Sequence, residues 1–145
     1  MEFRVLNRKQ MEDYKCNKKH LIISIKDPQT EDPEIAQRDN CVGILRLSFH
    51  DFDDLSKDYP GKIILFNKEH AKAILKFVFY AIKIDIKIDT IICHCEAGIS
   101  RSAGVVGALS KVINGDDKAV FRHYLPNMLV YRTILKTAYE EGVKK

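Results

Sequence analysis

The chain has 145 residues, of which 46% are hydrophobic and 30% are charged. This length predicts one domain over residues 1–145, with a core large enough to fold without disulfides or metals. No apolar run reaches the roughly 18–20 residues that a membrane-spanning helix needs. The charged N-terminal stretch "MEFRVLNRKQ" is unlike a signal peptide. We therefore expect a cytoplasmic protein with no membrane partner.

The charge distribution also excludes some partners. The formal net charge is +4, and the basic residues stand in short doublets rather than in one stripe. Nucleic-acid binding requires a concentrated basic patch, so we expect no nucleic-acid partner. Four cysteines are present and they form no paired CxxC motifs: Cys16, Cys41, Cys93 and Cys95. In a cytoplasmic protein such cysteines should stay reduced.

Apolar runs alternate with helical patterns along the chain. Strands are predicted at 2–6, 21–25, 41–49 and 90–95, and helices at 8–15, 69–82, 101–113, 116–124 and 127–142. The stretch "KIDIKID" (83–89) suits either a further strand or an extended connector, because its isoleucines alternate. This order predicts an α/β fold, in which helices flank a mostly parallel central sheet of four to five strands.

Two of the predicted helices carry clear apolar faces, and Asn67 is the expected N-cap of the helix at 69–82. The apolar face of that helix comprises Ala71, Ile74, Leu75, Val78, Ala81 and Ile82. For the last helix we predict that the core-facing stripe is Met128, Tyr131, Leu135, Ala138 and Tyr139. Ligands of such folds bind beyond the carboxyl ends of the strands, so the loops of interest begin at Asn7, Lys26, His50 and Cys95.

The stretch "IICHCEAGISRS" (91–102) carries the strongest chemical signal. A compact loop separates Cys95 from Arg101 at a predicted helix start, where backbone N–H groups favour an anion. Gly98 permits a backbone conformation that a side chain would penalise. Arg101 can contact two phosphate oxygens, and the positive surroundings favour a nucleophilic Cys95 thiolate. Ser102 can hydrogen-bond the sulfur.

A metal site and a disulfide are weaker interpretations of the same stretch. Strand alternation turns His94 away from Cys93 and Cys95, which argues against a shared metal. A Cys93–Cys95 disulfide would be strained at this spacing. Cys41 lies at the far end of its strand, about 25 Å from the loop. Cys93 is therefore expected in the core.

The stretch "HCEAGISRS" (94–102) resembles the His-Cys-x5-Arg-Ser/Thr signature of the cysteine-dependent protein tyrosine phosphatases. The short chain is similar to their compact dual-specificity branch, especially small prokaryotic or phage-type members, from about residue 41 to residue 135. The resemblance implies that Cys95 is the nucleophile, Arg101 the phosphate clamp, Ser102 the leaving-group helper and His94 a support of the loop. It implies no metal or other cofactor. The implied phosphate-binding backbone comprises Glu96, Ala97, Gly98, Ile99, Ser100 and Arg101.

Proton donation to the leaving group needs a carboxylic acid on a neighbouring loop. In the resembled family this is an Asp two residues beyond a strand, which favours Asp51 and leaves Asp53 and Asp54 as alternatives. Asn127 is either an ordinary helix N-cap or a hydrogen-bond donor to the site. The acidic segment 24–34 is expected to be a surface loop, in which Asp27 could meet a basic residue of a substrate.

These residues predict a phosphatase that acts on phosphotyrosine in proteins, and on phosphoserine or phosphothreonine as further substrates, through a phosphocysteine. The expected partners are a phosphorylated protein or peptide and inorganic phosphate or another oxyanion, and the protein is expected to be a monomer. The same chemistry on a phosphoinositide or an RNA 5′-phosphate remains open. A non-catalytic phosphate-binding module also remains open, although Cys95, Arg101 and Asp51 are all present.

Overall fold

The computed structural model describes residues 1–36, 39–52 and 61–143. Its strands are β1 (Glu2–Leu6), β2 (His20–Lys26), β3 (Cys41–Ser48) and β4 (Thr90–His94). Its helices are α1 (Arg8–Asp13), α2 (Lys68–Ile84), α3 (Arg101–Asn114), α4 (Lys118–His123) and α5 (Met128–Glu140). The strands form one sheet in the order β1-β4-β2-β3, with parallel pairing throughout. The predicted α/β fold is confirmed.

The ambiguous stretch 83–89 is not a strand. Helix α2 continues to Ile84, and a turn follows in which the Asp85 carboxylate accepts a hydrogen bond from the backbone N–H of Lys87. Ile86 is 87% exposed, so the alternating pattern does not reflect a buried sheet face. Within the described residues, no helix combines the length and apolar character that crossing a membrane would require.

Strands β2 and β4 occupy the middle of the sheet and are buried along nearly their whole length. Their continuous apolar sequences fit this position, because a central parallel strand is covered on both faces. Leu21, Ile23 and Ile91 belong to the main core, which also contains apolar side chains of α2, α3 and α5. Ile22 and Ile92 belong to a smaller core beneath α1.

Helix α5 buries the predicted stripe only in part. Its buried residues are Val130, Ile134, Thr137 and Ala138, whereas Tyr139 is 89% exposed. Only Ala138 belongs to both sets. Tyr131 and Leu135 of the predicted stripe are partly buried and pack against the main core.

Of the two glycines of α3, one allows its close contact with α5. A Cβ atom at Gly104 would lie 2.8 Å from the backbone oxygen of Asn127 and 3.0 Å from Val130 Cβ. A Cβ atom at Gly107 would lie 3.4 Å from the Tyr131 ring, which is ordinary van der Waals contact. Gly104 therefore allows α3 and α5 to approach where a larger residue would separate them.

A buried polar pair lies on the face of the sheet that the smaller core covers. His94 is fully buried, and its Nε2 lies 2.6 Å from Ser24 Oγ on the neighbouring strand. Burial, together with the positive charges of Arg8, Arg46 and Arg101, lowers the pKa of His94 to about 4. The imidazole is therefore neutral at physiological pH.

The two glycines of α3 provide a matched test of this packing. We expect Gly104→Ala to lower the free energy of unfolding by about 1–3 kcal/mol, because the new methyl group meets the α5 backbone. Gly107→Ala should leave it unchanged or raise it by up to about 1 kcal/mol, because alanine favours helix. Urea unfolding of both variants measures the difference. Equal effects at the two positions would contradict the close contact at Gly104.

The buried histidine predicts a pH dependence of stability. Between the folded pKa of about 4 and the ordinary value of 6.5, the unfolded chain binds the His94 proton more readily. Neutral His94 therefore makes its full contribution to the free energy of unfolding above pH 6.5. This contribution falls by about 2 kcal/mol as the pH drops to about 5. His94→Gln should remove this part of the pH dependence in urea titrations. A parent-minus-variant difference that stays constant over this window would refute the assignment.

Candidate active site

The residues that follow β4 form a compact loop, residues 95–101, which we call the Cys95 loop. The Cys95 side chain is buried, and its Sγ accepts a hydrogen bond from the backbone N–H of Gly98 at 3.3 Å. Ser102 Oγ lies 3.1 Å from the same sulfur. These donors stabilise a negative charge on Sγ, as nucleophilic attack requires. The predicted contact between Ser102 and Cys95 is present.

Gly98 is required by the shape of this loop. Its φ is +69°, in the left-handed region that favours glycine. A Cβ atom there would also lie 2.6 Å from the backbone nitrogen of Asn7. The backbone N–H of Cys95 donates to Leu6 O at 3.3 Å, so the loop is held against the end of β1.

Arg101 begins α3 and is only 4% exposed. Its Nη1 donates to Asp27 Oδ1 at 2.7 Å and to the backbone oxygen of Phe49 at 2.9 Å. The loops after β2 and β3 thus both hold the guanidinium. Within the described part of the chain its Nε is buried without a hydrogen-bond partner. A buried donor without a partner is costly, and a bound anion would satisfy it.

The contact between Asp27 and Arg101 was not predicted. The sequence predicts that the segment 24–34 is a surface loop in which Asp27 could meet a basic residue of a substrate. In the structure the Asp27 carboxylate is paired with Arg101. The only signal in the sequence was that the loop after β2 leaves the same edge of the sheet. Asp27 therefore orients Arg101 in this structure.

A second unpredicted ion pair lies at the start of the loop. Arg8 Nη1 lies 3.1 Å from Glu96 Oε1, and the backbone N–H of Arg8 donates to Glu96 O. Arg8 therefore offsets the charge of Glu96. Both side chains are partly exposed, so solvent screens this pair.

Asp51 lies beside the Cys95 loop, on an exposed position after β3. Its Oδ1 accepts hydrogen bonds from Ser100 Oγ at 2.8 Å and from Asn127 Nδ2 at 2.9 Å. The competing candidates Asp53 and Asp54 lie outside the described residues. The choice of Asp51 as proton donor therefore stays a prediction.

Asn127 combines the two roles that the sequence left open. Its side-chain oxygen accepts the backbone N–H of Val130 and caps α5, while its amide nitrogen donates to Asp51. Asn127 therefore connects the start of α5 to the loop that carries Asp51.

His94 and Cys93 lie behind the site. Strand alternation places Cys93 in the main core and turns His94 to the opposite face, where its Nδ1 is 3.5 Å from Cys95 O. Burial raises the pKa of the Cys93 thiol well above its usual value, and the nearby charge of Cys95 adds to this. Cys93 therefore stays a neutral thiol. The described residues contain no His, Cys, Asp and Glu cluster suited to a metal ion.

One cavity is lined by residues that contact the Cys95 loop, and a larger one is not. A cavity of about 300 Å³ is lined by Asp27, Gln29, Thr30, His50, Asp51 and Phe52. Its lining includes both carboxylates that contact the Cys95 loop. A larger one, about 710 Å³, is formed by α2 and the residues after α5, and contains none of the site residues. The smaller cavity is the candidate binding site for the part of a ligand that is attached to a phosphate.

Comparisons with known proteins support the fold. No protein-family model and no curated protein sequence matches the chain. The structure of human DUSP28 matches 97% of this chain and 93% of its own, with 14% identity and a TM-score of 0.56. The human tyrosine phosphatase-like serine/threonine/tyrosine-interacting protein matches 85% of this chain and 78% of its own, with 16% identity and a TM-score of 0.54.

A mouse putative dual specificity phosphatase, solved in complex with zinc tungstate, matches 85% of this chain and 72% of its own. Its identity is 17% and its TM-score is 0.52. At these identities the likeness concerns the fold. The chain has the fold of the compact dual-specificity phosphatases of the protein tyrosine phosphatase superfamily.

Proposed function

We propose that the protein is a phosphatase that hydrolyses phosphate monoesters through a phosphocysteine at Cys95. The single observation that carries this proposal is the arrangement at the Cys95 loop. A thiol with two hydrogen-bond donors lies beside a buried arginine whose Nε has no partner among the described residues. The shared fold with dual-specificity phosphatases supports the same reaction.

In the first step, the Cys95 thiolate attacks phosphorus and an Sγ–P bond forms. The bond from phosphorus to the leaving oxygen breaks, its electron pair stays on that oxygen, and Asp51 supplies the proton. Arg101 and the loop amides stabilise the charge on the remaining phosphate oxygens.

In the second step, water attacks phosphorus and gives its proton to Asp51. The Sγ–P bond breaks and its electron pair returns to sulfur, next to the Ser102 hydroxyl. Inorganic phosphate leaves, and the thiolate is restored for the next cycle.

We further propose that the substrate is a phosphorylated protein, with phosphotyrosine preferred and phosphoserine or phosphothreonine also accepted. The supporting observation is the lack of basic residues in the loop itself. Residues 96–100 contain no Lys or Arg, and the neighbouring Arg8 is paired with Glu96. A substrate with several phosphates, such as a phosphoinositide, needs further positive charges beside the loop, whereas a single phosphate needs only Arg101 and the loop amides.

The nucleophile is tested by Cys95→Ser, with Cys93→Ala, two residues earlier on β4, as the matched control. Cys95→Ser should lower turnover of p-nitrophenyl phosphate by at least about 10³-fold, because the oxygen of serine is not activated here. It should still bind tungstate, since Arg101 and the loop amides remain. Cys93→Ala should keep its turnover and lose only stability. Near-normal turnover by Cys95→Ser would overturn the proposed function.

The substrate class is tested with a panel of monoesters at equal concentration: phosphotyrosine, phosphoserine and phosphothreonine peptides, phosphoinositide vesicles and an RNA 5′-phosphate. We expect the highest kcat/KM for phosphotyrosine peptides. A higher value for the lipid or the RNA would reject a protein substrate while keeping the chemistry. Tungstate binding without turnover of any ester would identify a non-catalytic binder.

A further inference from the structure

We infer that the larger cavity is a docking site for an acidic amphipathic helix of a partner protein. This cavity, which we call the α2 groove, has a volume of about 710 Å³ and is lined by residues of α2 with Glu141 and Val143. It contains none of the candidate active-site residues, so this role does not depend on chemistry at Cys95. The observation that carries it is that aromatic side chains and a row of lysines line the same groove.

Three lysines of the groove follow one another along α2. Lys76 stands four residues after Lys72, and Lys83 stands seven residues after Lys76, so helical spacing places all three on one stripe. The stripe extends over roughly 16 Å, because a helix rises about 1.5 Å per residue. A partner helix of about three turns matches this length.

The lysines give the groove a net positive charge. Of its described lining residues only Glu141 is acidic, and Glu141 Oε1 lies 3.7 Å from Lys72 Nζ. Within the described part of the chain, Lys76 and Lys83 form no ion pair, and both are exposed. Charge complementarity therefore favours a partner that brings carboxylates to the groove and disfavours one that brings lysine or arginine.

Apolar side chains flank the lysine stripe on both sides. Helical spacing places Phe77 and Tyr80 on one side of the stripe and Phe79 on the other. The Phe77 ring lies against β3, since a Cβ atom at Gly43 would be 3.1 Å from it. Phe79 and Val143 pack against the main core, whereas Tyr80 is 69% exposed. The groove therefore has a firm apolar base and a large exposed ring at its edge, as a docking site requires.

The shape of the groove favours a protein helix over a membrane or a single-stranded nucleic acid. Its volume lies in the usual range of binding clefts, and an amphipathic helix places its apolar side chains in such a cleft. A membrane surface binds a protruding apolar face rather than a cleft. Bases of a single strand stack on exposed aromatic rings, but Phe77 and Phe79 are partly buried against the core.

A peptide selection tests the occupant without assuming its sequence. The full chain is immobilised and exposed to a display library of random peptides of about 16 residues. We expect enrichment of peptides that combine apolar residues at i, i+3 or i+4 and i+7 with Asp or Glu between them. Circular dichroism should show that a synthetic copy gains helix on binding. A selection that enriches no peptide, or only peptides without acidic residues, would overturn the inference.

Exposed groove residues show whether the selected peptide binds there. Lys76→Glu and Lys83→Glu should each raise its Kd at least about tenfold, because like charges then face each other. Tyr80→Ala should raise the Kd about tenfold through loss of the exposed ring. Lys118→Glu, the same charge reversal at an exposed lysine of α4, is the matched control and should leave the Kd unchanged. Urea unfolding checks that every variant is folded.

The results at these positions decide between the groove and other surfaces. Unchanged binding in all three groove variants, or an equal loss in Lys118→Glu, would overturn the inference. Phosphatidylserine vesicles and a labelled oligouridine are titrated in parallel against the parent and Lys76→Glu. If either binds more tightly than the peptide and loses affinity in Lys76→Glu, the occupant is a membrane or a nucleic acid and the inference is wrong.

None of these binding measurements involves turnover. Their failure would leave the proposed phosphatase intact. Turnover that survives Cys95→Ser would reject the proposed function and leave the α2 groove as a docking site.

Discussion

The buried guanidinium of Arg101 is the constraint around which the site is organised. A charge that is only 4% exposed needs partners, and Asp27 and the backbone oxygen of Phe49 supply two of them. Those partners come from the loops after β2 and β3, so the carboxyl ends of three strands meet at one side chain. Its Nε is also buried, without a hydrogen-bond partner among the described residues, and this donor makes the Cys95 loop suited to an anion.

The packing of α3 against α5 extends this organisation to Asp51. Gly104 lets the two helices approach, and the backbone oxygen of Ser100 accepts the N–H groups of both Gly104 and Asn127. Because the side chains of Asn127 and Ser100 also donate to Asp51, core packing sets where Asp51 lies relative to the Cys95 loop. The contacts at the start of α5 therefore both stabilise the fold and hold Asp51 beside the Cys95 loop.

Local patterns in the sequence predicted the strands, the Cys95 loop and the side of the sheet on which His94 lies, because these follow from period-two alternation and helix-start chemistry. These local patterns do not show which distant residues contact the Cys95 loop. Asp27 is 74 residues from Arg101, and Arg8 is 88 residues from Glu96, so their contacts depend on strand order. The predicted stripe of α5 was right only in part, because the close approach of α3 at Gly104 buries Val130, which the helical spacing alone did not single out.

The central claim is that a phosphate ester is cleaved by transfer to Cys95 sulfur. The most direct measurement is rapid acid quenching of the enzyme during turnover of 2,4-dinitrophenyl phosphate, followed by mass spectrometry of the peptide that contains Cys95. The account predicts a phosphate adduct on Cys95 that forms with a burst of dinitrophenol and disappears as substrate is exhausted. Steady turnover with an unmodified Cys95, or with the phosphate on another residue, would contradict it.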